Sequence, residues 1–458
     1  MKIIVLGAGQ VGSTVAQSLA RENNDITVVD TDANVLKDLH NTLDIRTILG
    51  CGSHPHILKQ AGAEDADMIV AATNADEVNM VACQIAYSMF HTPTKIARIR
   101  SQGYLSEGAQ LFKNDHIPVD VLISPERLVT DHIERIIEHP GALQVVDFAD
   151  GQVRLVGVTV DENAPMNGMS LSVWKTLLPD VESRITVVYR DEKAIIPEGS
   201  TVIRENDIVF FLASRVNTNE VMAQFRTLEK ANRRVMIAGG GNIGSGLAHR
   251  LEGRYQVKLI EANSERSNVL AAELEHTLVF EGDAADHELL ISENIQDMDV
   301  FCALTNDDEA NILSAMLARR MGARKVMSLI NRPAYVDLVE RGFIDVAVSP
   351  HQITIGALLT HIRRGDVVAV HSLRKGAAEA MEAIAHGDET TSRVVGRKIE
   401  DLPLPKDATI GALVRGGEMI IAHHDTVIEP EDHVIVLVVD KSQIPDVEKL
   451  FQVNVTFI

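Results

Sequence analysis

The sequence predicts an α/β protein made by tandem duplication. A doubly wound parallel-sheet domain is followed by a small α+β domain, and the pair then recurs (A-B-A′-B′). Three observations carry this. Continuous apolar runs of strand length alternate with helix-patterned segments, as expected of strands buried on both faces of a parallel sheet. Each half opens on a G-x-G-x-x-G turn between a strand and a helix. Landmarks of the first half return in the second at a constant offset.

The first strand is Lys2–Leu6. It empties into Gly7-Ala8-Gly9-Gln10-Val11-Gly12, and a helical pattern follows from about Gln10 to Arg21. The second strand, Ile26–Val29, ends in Asp30, 18 residues past Gly12. That spacing suits a carboxylate reaching the ribose hydroxyls of a nucleotide whose phosphates lie on the glycine turn and helix N-terminus. Gly7 allows the tight turn, Gly9 lets backbone N–H groups approach phosphate oxygens, and Gly12 lets helix and strand pack closely.

Next come a helix over Ala33–Leu43, a strand over Arg46–Leu49, and a helix that Ser53 caps with Pro55 in its first turn. A fourth strand, Ala66–Ala72, ends in Thr73-Asn74. A helix from Asp76 to Met89, a strand Lys95–Ile99, a helix near Tyr104–Phe112 and a strand Val119–Ser124 complete the unit. Glu126–Glu138 is an amphipathic crossover helix, stopped by His139-Pro140-Gly141. The texture then changes to short strands, Gln144–Phe148, Val153–Thr159, Arg184–Tyr189 and Ile208–Leu212, with turns between them.

Arg234–Ala238 restarts the pattern, with Gly239-Gly240-Gly241-Asn242-Ile243-Gly244 as the second glycine turn. Val257–Ile260 ends in Glu261, 17 residues past Gly244. Gly7 and Gly239 are 232 apart, as are Gly50 and Gly282, Asn74 and Asn306, and Asn79 and Asn311. Thr73-Asn74 before Asp76-Glu77 mirrors Thr305-Asn306 before Asp308-Glu309. Later landmarks lie 225 apart: Ser124-Pro125 with Ser349-Pro350, and Asp207 with Asp432. The boundaries that follow are 1–123, a crossover helix over 124–141, and 142–228; then 232–348, a crossover helix over 349–366, and 367–453. Length alone suggests about three domains; the repeat makes it four.

Composition narrows the function classes. With 43 Lys and Arg against 65 Asp and Glu, the net charge is −22, which opposes nucleic acid or anionic lipid as a partner. Three cysteines without a C-x-x-C pair give neither a disulfide framework nor a zinc ribbon; Cys51 with His54 and His56 reads as a structural loop. The N-terminus lacks a signal-peptide pattern and no apolar run is long enough to span a bilayer, so the reading is a cytoplasmic chain. His132, His139, His276 and the pair His423-His424 have no orienting partner at useful spacing. No G-x-S-x-G elbow, H-E-x-x-H helix or Walker lysine is present. Duplicated nucleotide sites without reaction groups point to a sensor whose output is a change of shape.

Asp30 and Glu261 accept hydrogen bonds from ribose hydroxyls but repel a 2′-phosphate, which argues against NADP. NAD(H) and ATP/ADP remain, and the motif does not separate them. Arg98, at the end of the fifth strand, is placed to clamp a phosphate. The second copy reads Lys325-Val326-Met327-Ser328 there, with no arginine, so the two sites differ. The apolar faces around Ile133, Ile136 and Ile137 and over Ile353–Leu359 fit either pairing between units or, as is commoner for such helices, the chain's own core.

Together these features resemble the regulator-of-potassium-conductance family, also called KTN domains. The residues that carry the likeness are Gly7–Gly12 with Asp30, Thr73-Asn74 before Asp76-Glu77, their repeats at Gly239–Gly244, Glu261 and Thr305-Asn306, and the Ser-Pro crossovers. The resemblance implies NAD(H) and adenine-nucleotide binding by a non-enzymatic regulatory subunit. It also implies a homo-oligomeric, tetrameric ring at the inner face of the membrane, gating an integral-membrane potassium-transport subunit. A nicotinamide-dependent oxidoreductase with a duplicated cofactor domain is the alternative; a DNA-binding redox sensor is disfavoured by charge.

Overall fold

A computed structural model of the chain describes residues 1–20, 24–191, 193–227, 231–339, 344–362, 366–373 and 378–452. Arg21, Leu228 and Val453, which the sequence places at element or domain ends, lie outside them, as do residues 363–365 within the expected second crossover helix. Two compact units result, one of residues 1–128 with 353–358 and one of 129–352 with 359–458.

In the first unit the chain runs β1 (Lys2–Leu6), α1 (Gln10–Ala20), β2 (Asp25–Asp30), α2 (Ala33–Thr42), β3 (Arg46–Leu49), α3 (Pro55–Gln60), β4 (Met68–Ala71), α4 (Asp76–Phe90), β5 (Thr94–Arg98), α5 (Gln102–Ser106), α6 (Gly108–Leu111) and β6 (Val121–Ile123). The strands form one parallel sheet in the order β3-β2-β1-β4-β5-β6. Strand order reverses between β1 and β4, so the loops after them part at the carboxyl edge and leave a crevice. Ile4, Leu6, Ile69, Ala71 and Ala97 pack on one face against Ala82, Cys83 and Ala86 of α4. The cap of α3 is His54 rather than Ser53, because Pro55 takes the first helical position. The single helix expected near Tyr104–Phe112 is two short ones separated at Glu107.

The crossover helix α7 (Pro125–Glu138) leads into the second unit. There β7 (Ala142–Phe148), β8 (Val153–Thr159), α8 (Trp174–Leu177), β9 (Ser183–Arg190), β10 (Lys193–Ile195), β11 (Ile208–Ser214) and α9 (Thr218–Met222) make the first small domain. Its antiparallel sheet has the order β10-β9-β11-β8-β7; the hairpin strand β10, three residues long, is too short to show in the sequence pattern. The second doubly wound domain repeats the first: β12 (Arg234–Ala238), α10 (Asn242–Leu251), β13 (Gln256–Glu261), α11 (Ser264–Glu273), β14 (Leu278–Glu281), α12 (His287–Ser292), β15 (Val300–Ala303), α13 (Asp308–Arg320), β16 (Lys325–Leu329), α14 (Pro333–Val339) and β17 (Val346–Val348). Its sheet order is β14-β13-β12-β15-β16-β17, parallel throughout. After α15 (Pro350–Ile362) come β18 (Val367–Leu373), β19 (Ala378–Ile384), β20 (Ala408–Arg415), β21 (Glu418–Ile421), β22 (His433–Val438) and α16 (Ile444–Leu450). These strands form an antiparallel sheet in the order β18-β19-β22-β20-β21.

The two small sheets share a core. Phe148, Leu155, Phe210 and Leu212 of the first pack with Leu373, Ala412, Ile435 and Leu437 of the second. The sheets come so close that a Cβ at Gly411 would lie 2.4 Å from Leu212 Cδ1. Each small domain repeats one buried ion pair. Arg190 donates to Asp207 at 2.8 and 2.6 Å, and Arg415 to Asp432 at 2.8 and 2.8 Å. Both carboxylates also accept a backbone N–H, from Arg204 and from Glu429. With two donors forked on each buried acid, the pair fixes the turn before β11 and β22.

Ile133, Ile136 and Ile137 of α7 are buried within this one chain. Of the two readings the sequence allows for that face, the chain's own core is the one observed, and pairing between units through it is not; Leu358 and Leu359 of α15 are buried too.

Burial holds two histidines neutral. His132 of α7 and His371 of β18 are each pushed down to about 4, chiefly by desolvation, with Arg135 adding repulsion. His371 also packs edge-on against the Phe148 ring at 5.2 Å. An unfolded histidine titrates near 6.5, so between that value and about 4 the unfolded chain binds more protons than the folded one. Stability is complete above about pH 6.5 and falls as pH drops through this window. Thermal unfolding followed from pH 7.5 to pH 4.5 is expected to show that slope, and His371→Phe is expected to flatten it.

Candidate nucleotide-binding sites

The first site is built where β1 ends. Gly7 has φ 95°, in the left-handed region, and turns the chain sharply. A Cβ at Gly12 would sit 1.8 Å from Gly7 O, so only a glycine lets α1 close onto the turn. A Cβ at Gly9 would meet nothing within 4 Å, so this backbone faces open space. Those are three different physical roles for three glycines. Ala8 N–H and Asp32 N–H donate to the two carboxylate oxygens of Asp30, at 2.5 and 2.8 Å. Asp30 therefore staples the end of β2 to the glycine turn, and each of its oxygens keeps a second lone pair for a ribose hydroxyl. Val11 lies in the first turn of α1, and Gln10 begins that helix.

A cavity of about 390 Å³ opens over this turn. Gly7, Gly9, Val11, Asp30, Thr73, Asn74 and Arg98 line it, joined by Gly50-Cys51-Gly52 after β3. Thr73 is held by Asn79 of α4, a fully buried residue. Asn79 Oδ1 accepts from Thr73 N–H and Oγ1–H at 3.0 and 2.7 Å, and its Nδ2 donates to Thr73 O and Arg98 O at 3.3 and 2.8 Å. The ends of β4 and β5, and with them Thr73 and Arg98, are thereby set relative to each other. Asp76 in the first turn of α4 accepts from the N–H groups of Arg100 and Ser101, pinning the loop after β5. Arg100 reaches back to Asn74 O.

The second glycine turn repeats the scheme. Gly239 has φ 104°, a Cβ at Gly244 would lie 1.9 Å from Gly239 O, and Gly241 faces open space. Glu261 accepts from Gly240 N–H at 2.7 Å and Asn263 N–H at 2.8 Å. A Cβ at Gly240 would strike Leu270 Cδ1 at 2.3 Å, where the first site has Ala8. Gly241 caps α10, and Asn242 and Ile243 form its first turn. Asn311 binds Thr305 N–H, Oγ1–H and O at 2.8, 2.7 and 2.9 Å and Leu329 O at 3.0 Å, beside Asn306. Arg266 of α11 donates to Gly240 O at 3.1 Å and to Ser245 Oγ at 3.4 Å.

The two sites differ at the end of the fifth strand, and by a register the sequence misplaces. Arg98 pairs with Ile123 and its carbonyl binds Asn79; Leu329 pairs with Val348 and its carbonyl binds Asn311. The counterpart of Arg98 is therefore Leu329, not Ser328. The offset between the halves has slipped by one residue because α13 is shorter than α4. The second site still lacks the cation.

The family model of the TrkA-N domain matches residues 3–125 and 235–350, and that of the TrkA-C domain matches 155–226 and 389–452. The Trk system potassium uptake protein TrkA of Halomonas elongata is 59% identical over 457 residues, covering all of both chains. The protein of that name from Vibrio alginolyticus is 57% identical over 458, again covering both. The chain belongs to the TrkA family. With that membership comes a regulatory part in potassium uptake. Among solved structures the GsuK channel aligns with TM-score 0.64 at 16% identity, over 98% of this chain and 78% of that one. A GsuK channel bound to NAD aligns with TM-score 0.62 over 98% and 79%. At such identity the likeness is one of fold.

Several residues of this TrkA-family site were not singled out as ligand-facing or supporting from sequence: Asn79, Asn311, Asp76 and Asp308 as internal braces, Cys51 lining the first cavity, and Arg100 bonded to Asn74 O beside it. Their repetition at the 232 offset was the available signal for the braces; nothing local marks a buried asparagine as a clamp. His139 does have partners, contrary to expectation. Its Nδ1 lies 2.8 Å from Arg135 O and its Nε2 accepts from Arg154 at 2.6 Å, a geometry that needs the neutral ring. Desolvation lowers its pKa accordingly. Among the described residues no cluster of three His, Cys, Asp or Glu is placed to hold a metal.

Asn79→Ala is expected to lose about 2–3 kcal/mol, because Thr73 and Arg98 would be left with unpaired buried groups. A fall in thermal midpoint for this variant and for Asn311→Ala, with a smaller fall for exposed control substitutions, is the check.

Proposed function

We propose that each half binds an adenine nucleotide, NAD(H) or ATP/ADP, at its glycine turn, and that occupancy biases the conformation this chain presents to an integral-membrane, Trk-type potassium-transport subunit. The single observation that carries the reading is the pairing, in both halves, of an open glycine backbone with a carboxylate fixed beside it. Gly9 with Asp30 and Gly241 with Glu261 supply the phosphate and ribose ends of one ligand class. Thr73, Asn74 and Arg98 in the first half, and Thr305 and Asn306 in the second, flank the phosphates. The boundaries 1–123, 142–228, 232–348 and 367–453 delimit the working domains, which assemble as a homotetrameric ring on the cytoplasmic side. Among the described residues no helix is long and apolar enough to cross a membrane.

No covalent step belongs to this reading. A nucleotide that binds one conformation tenfold better than another shifts their balance by about 1.4 kcal/mol per site, and sites acting together in a ring bias a gate further.

Gly9→Asp and Gly241→Asp place a carboxylate where phosphates approach without striking the protein. Calorimetry with ATP, ADP and NADH is expected to give two sites in the parent chain, one in each single variant and none in the double. The double variant is also expected to abolish nucleotide control of potassium flux through the reconstituted partner. Unchanged stoichiometry refutes the assignment, and sustained NADH oxidation with carbonyl substrates favours the oxidoreductase reading instead.

A further inference from the structure

We propose that Glu126 sets how strongly the first site responds to the phosphate charge of its nucleotide, by neutralising Arg98 until a phosphate takes its place. The proposal rests on nucleotide binding at that site. Arg98 lines the first cavity together with Gly7 and Gly9 of the glycine turn. Its Nη2 donates to Glu126 Oε1 at 3.3 Å, and both side chains are mostly buried, 18% and 19% exposed. The Nε of Arg98 is buried without a hydrogen-bond partner among the described residues.

This contact is loose. The two structural arginine–aspartate pairs of the small domains are forked, with distances of 2.6–2.8 Å, within or below the usual range of charge-assisted bonds. Arg98 makes one long contact and leaves a buried N–H unused. A phosphate in the cavity offers several acceptor oxygens to the fork, which a single carboxylate oxygen at 3.3 Å does not match. When Arg98 turns away, Glu126 keeps the favourable field of the helix dipole, because it lies in the first turn of α7, and this offsets part of the cost of losing its partner. At the Arg98 end, exchange gives up one long contact for a fork of acceptors.

At the matching positions the second half has no such pair. Leu329 stands where Arg98 does, and His351, 225 residues after Glu126, stands where the glutamate does. Cation and carboxylate are absent together, as expected if they work as a pair. Arg100 adds positive charge at the first mouth through its bond to Asn74 O, where the second copy has Asn331. The first site is thus the one built to grade ligands by charge, with Glu126 as a positioning residue acting through Arg98.

The test uses the full chain carrying Gly241→Asp, so that only the first site is read, in magnesium-free buffer with ATP, ADP and NADH. Glu126→Gln is expected to tighten ATP binding about tenfold, ADP less, and NADH least, since the freed guanidinium favours the most anionic ligand. Glu126→Asp is expected to restore the parent's ratio of ATP to NADH affinity. Arg98→Ala is expected to weaken ATP binding and to erase the effect of Glu126→Gln in the double variant, a coupling that a merely structural pair does not produce. Unchanged or weakened ATP binding in Glu126→Gln overturns the proposal, as does an effect that survives without Arg98. If the parent chain binds nucleotide normally in these cases, the reading of the sites stands and only the role of Glu126 falls. A parent chain that binds none removes both.

Discussion

Everything at the two sites depends on the missing side chain of Gly12 and of Gly244. With less than 2 Å between a hypothetical Cβ and the carbonyl of Gly7 or Gly239, the helix lies directly on the turn that precedes it. That approach aims the free N–H groups at the start of α1 and α10 into the crevice where strand order reverses. Asp30 and Glu261 then bind the turn's own N–H groups from the neighbouring strand. The acid thus does two things at once: it holds the loop in shape and waits at its edge with unused lone pairs. A binding surface preformed in this way needs little reordering when a ligand arrives, which leaves more of the binding free energy for shifting conformations.

Duplication supplied two such surfaces, and divergence has made them unequal. The braces are kept in both halves: Asn79 and Asn311 clamp Thr73 and Thr305 with nearly the same distances, and Asp76 and Asp308 pin the loops that follow. What differs is charge. The first cavity is lined by Arg98, with Arg100 bonded to Asn74 O beside it; the second half has Leu329 and Asn331 at those positions, and Arg266 bonded to Gly240 O of its glycine turn. Geometry has been preserved while electrostatics drifted, which is how one scaffold comes to distinguish related ligands. The two small domains took another route. They repeat the same arginine–aspartate fork and then spend their apolar faces on each other, Leu212 against Gly411.

Much of this was legible in the residues. The glycine turns, the acids after the second strands and the Thr-Asn pairs are local patterns with fixed spacing, and the repeat made each visible twice. The alternation of apolar strands with helices specified two parallel sheets because a strand buried on both faces has no polar side to show. The apolar stripe of α7 was visible as well, but a stripe does not say what covers it. Ile133, Ile136 and Ile137 proved to lie in the chain's own interior. Likewise the crossover helix placed from Glu126 begins one residue earlier, at Pro125, since its fixed φ and missing N–H suit the first helical position.

By itself, then, the sequence determined the fold class, the duplication and the two glycine turns with their strand-end acids, because these depend on short-range stereochemistry: left-handed glycines, close helix approach and strand-end carboxylates. Tertiary structure alone decided which residue answers Arg98 in the second half, since strand register is set by hydrogen bonds across the sheet and absorbs the shortened helix between. It alone brought Glu126 to Arg98, His371 to Phe148 and one small sheet onto the other. Those are meetings of residues far apart along the chain, and their partners are chosen by packing that no local pattern records.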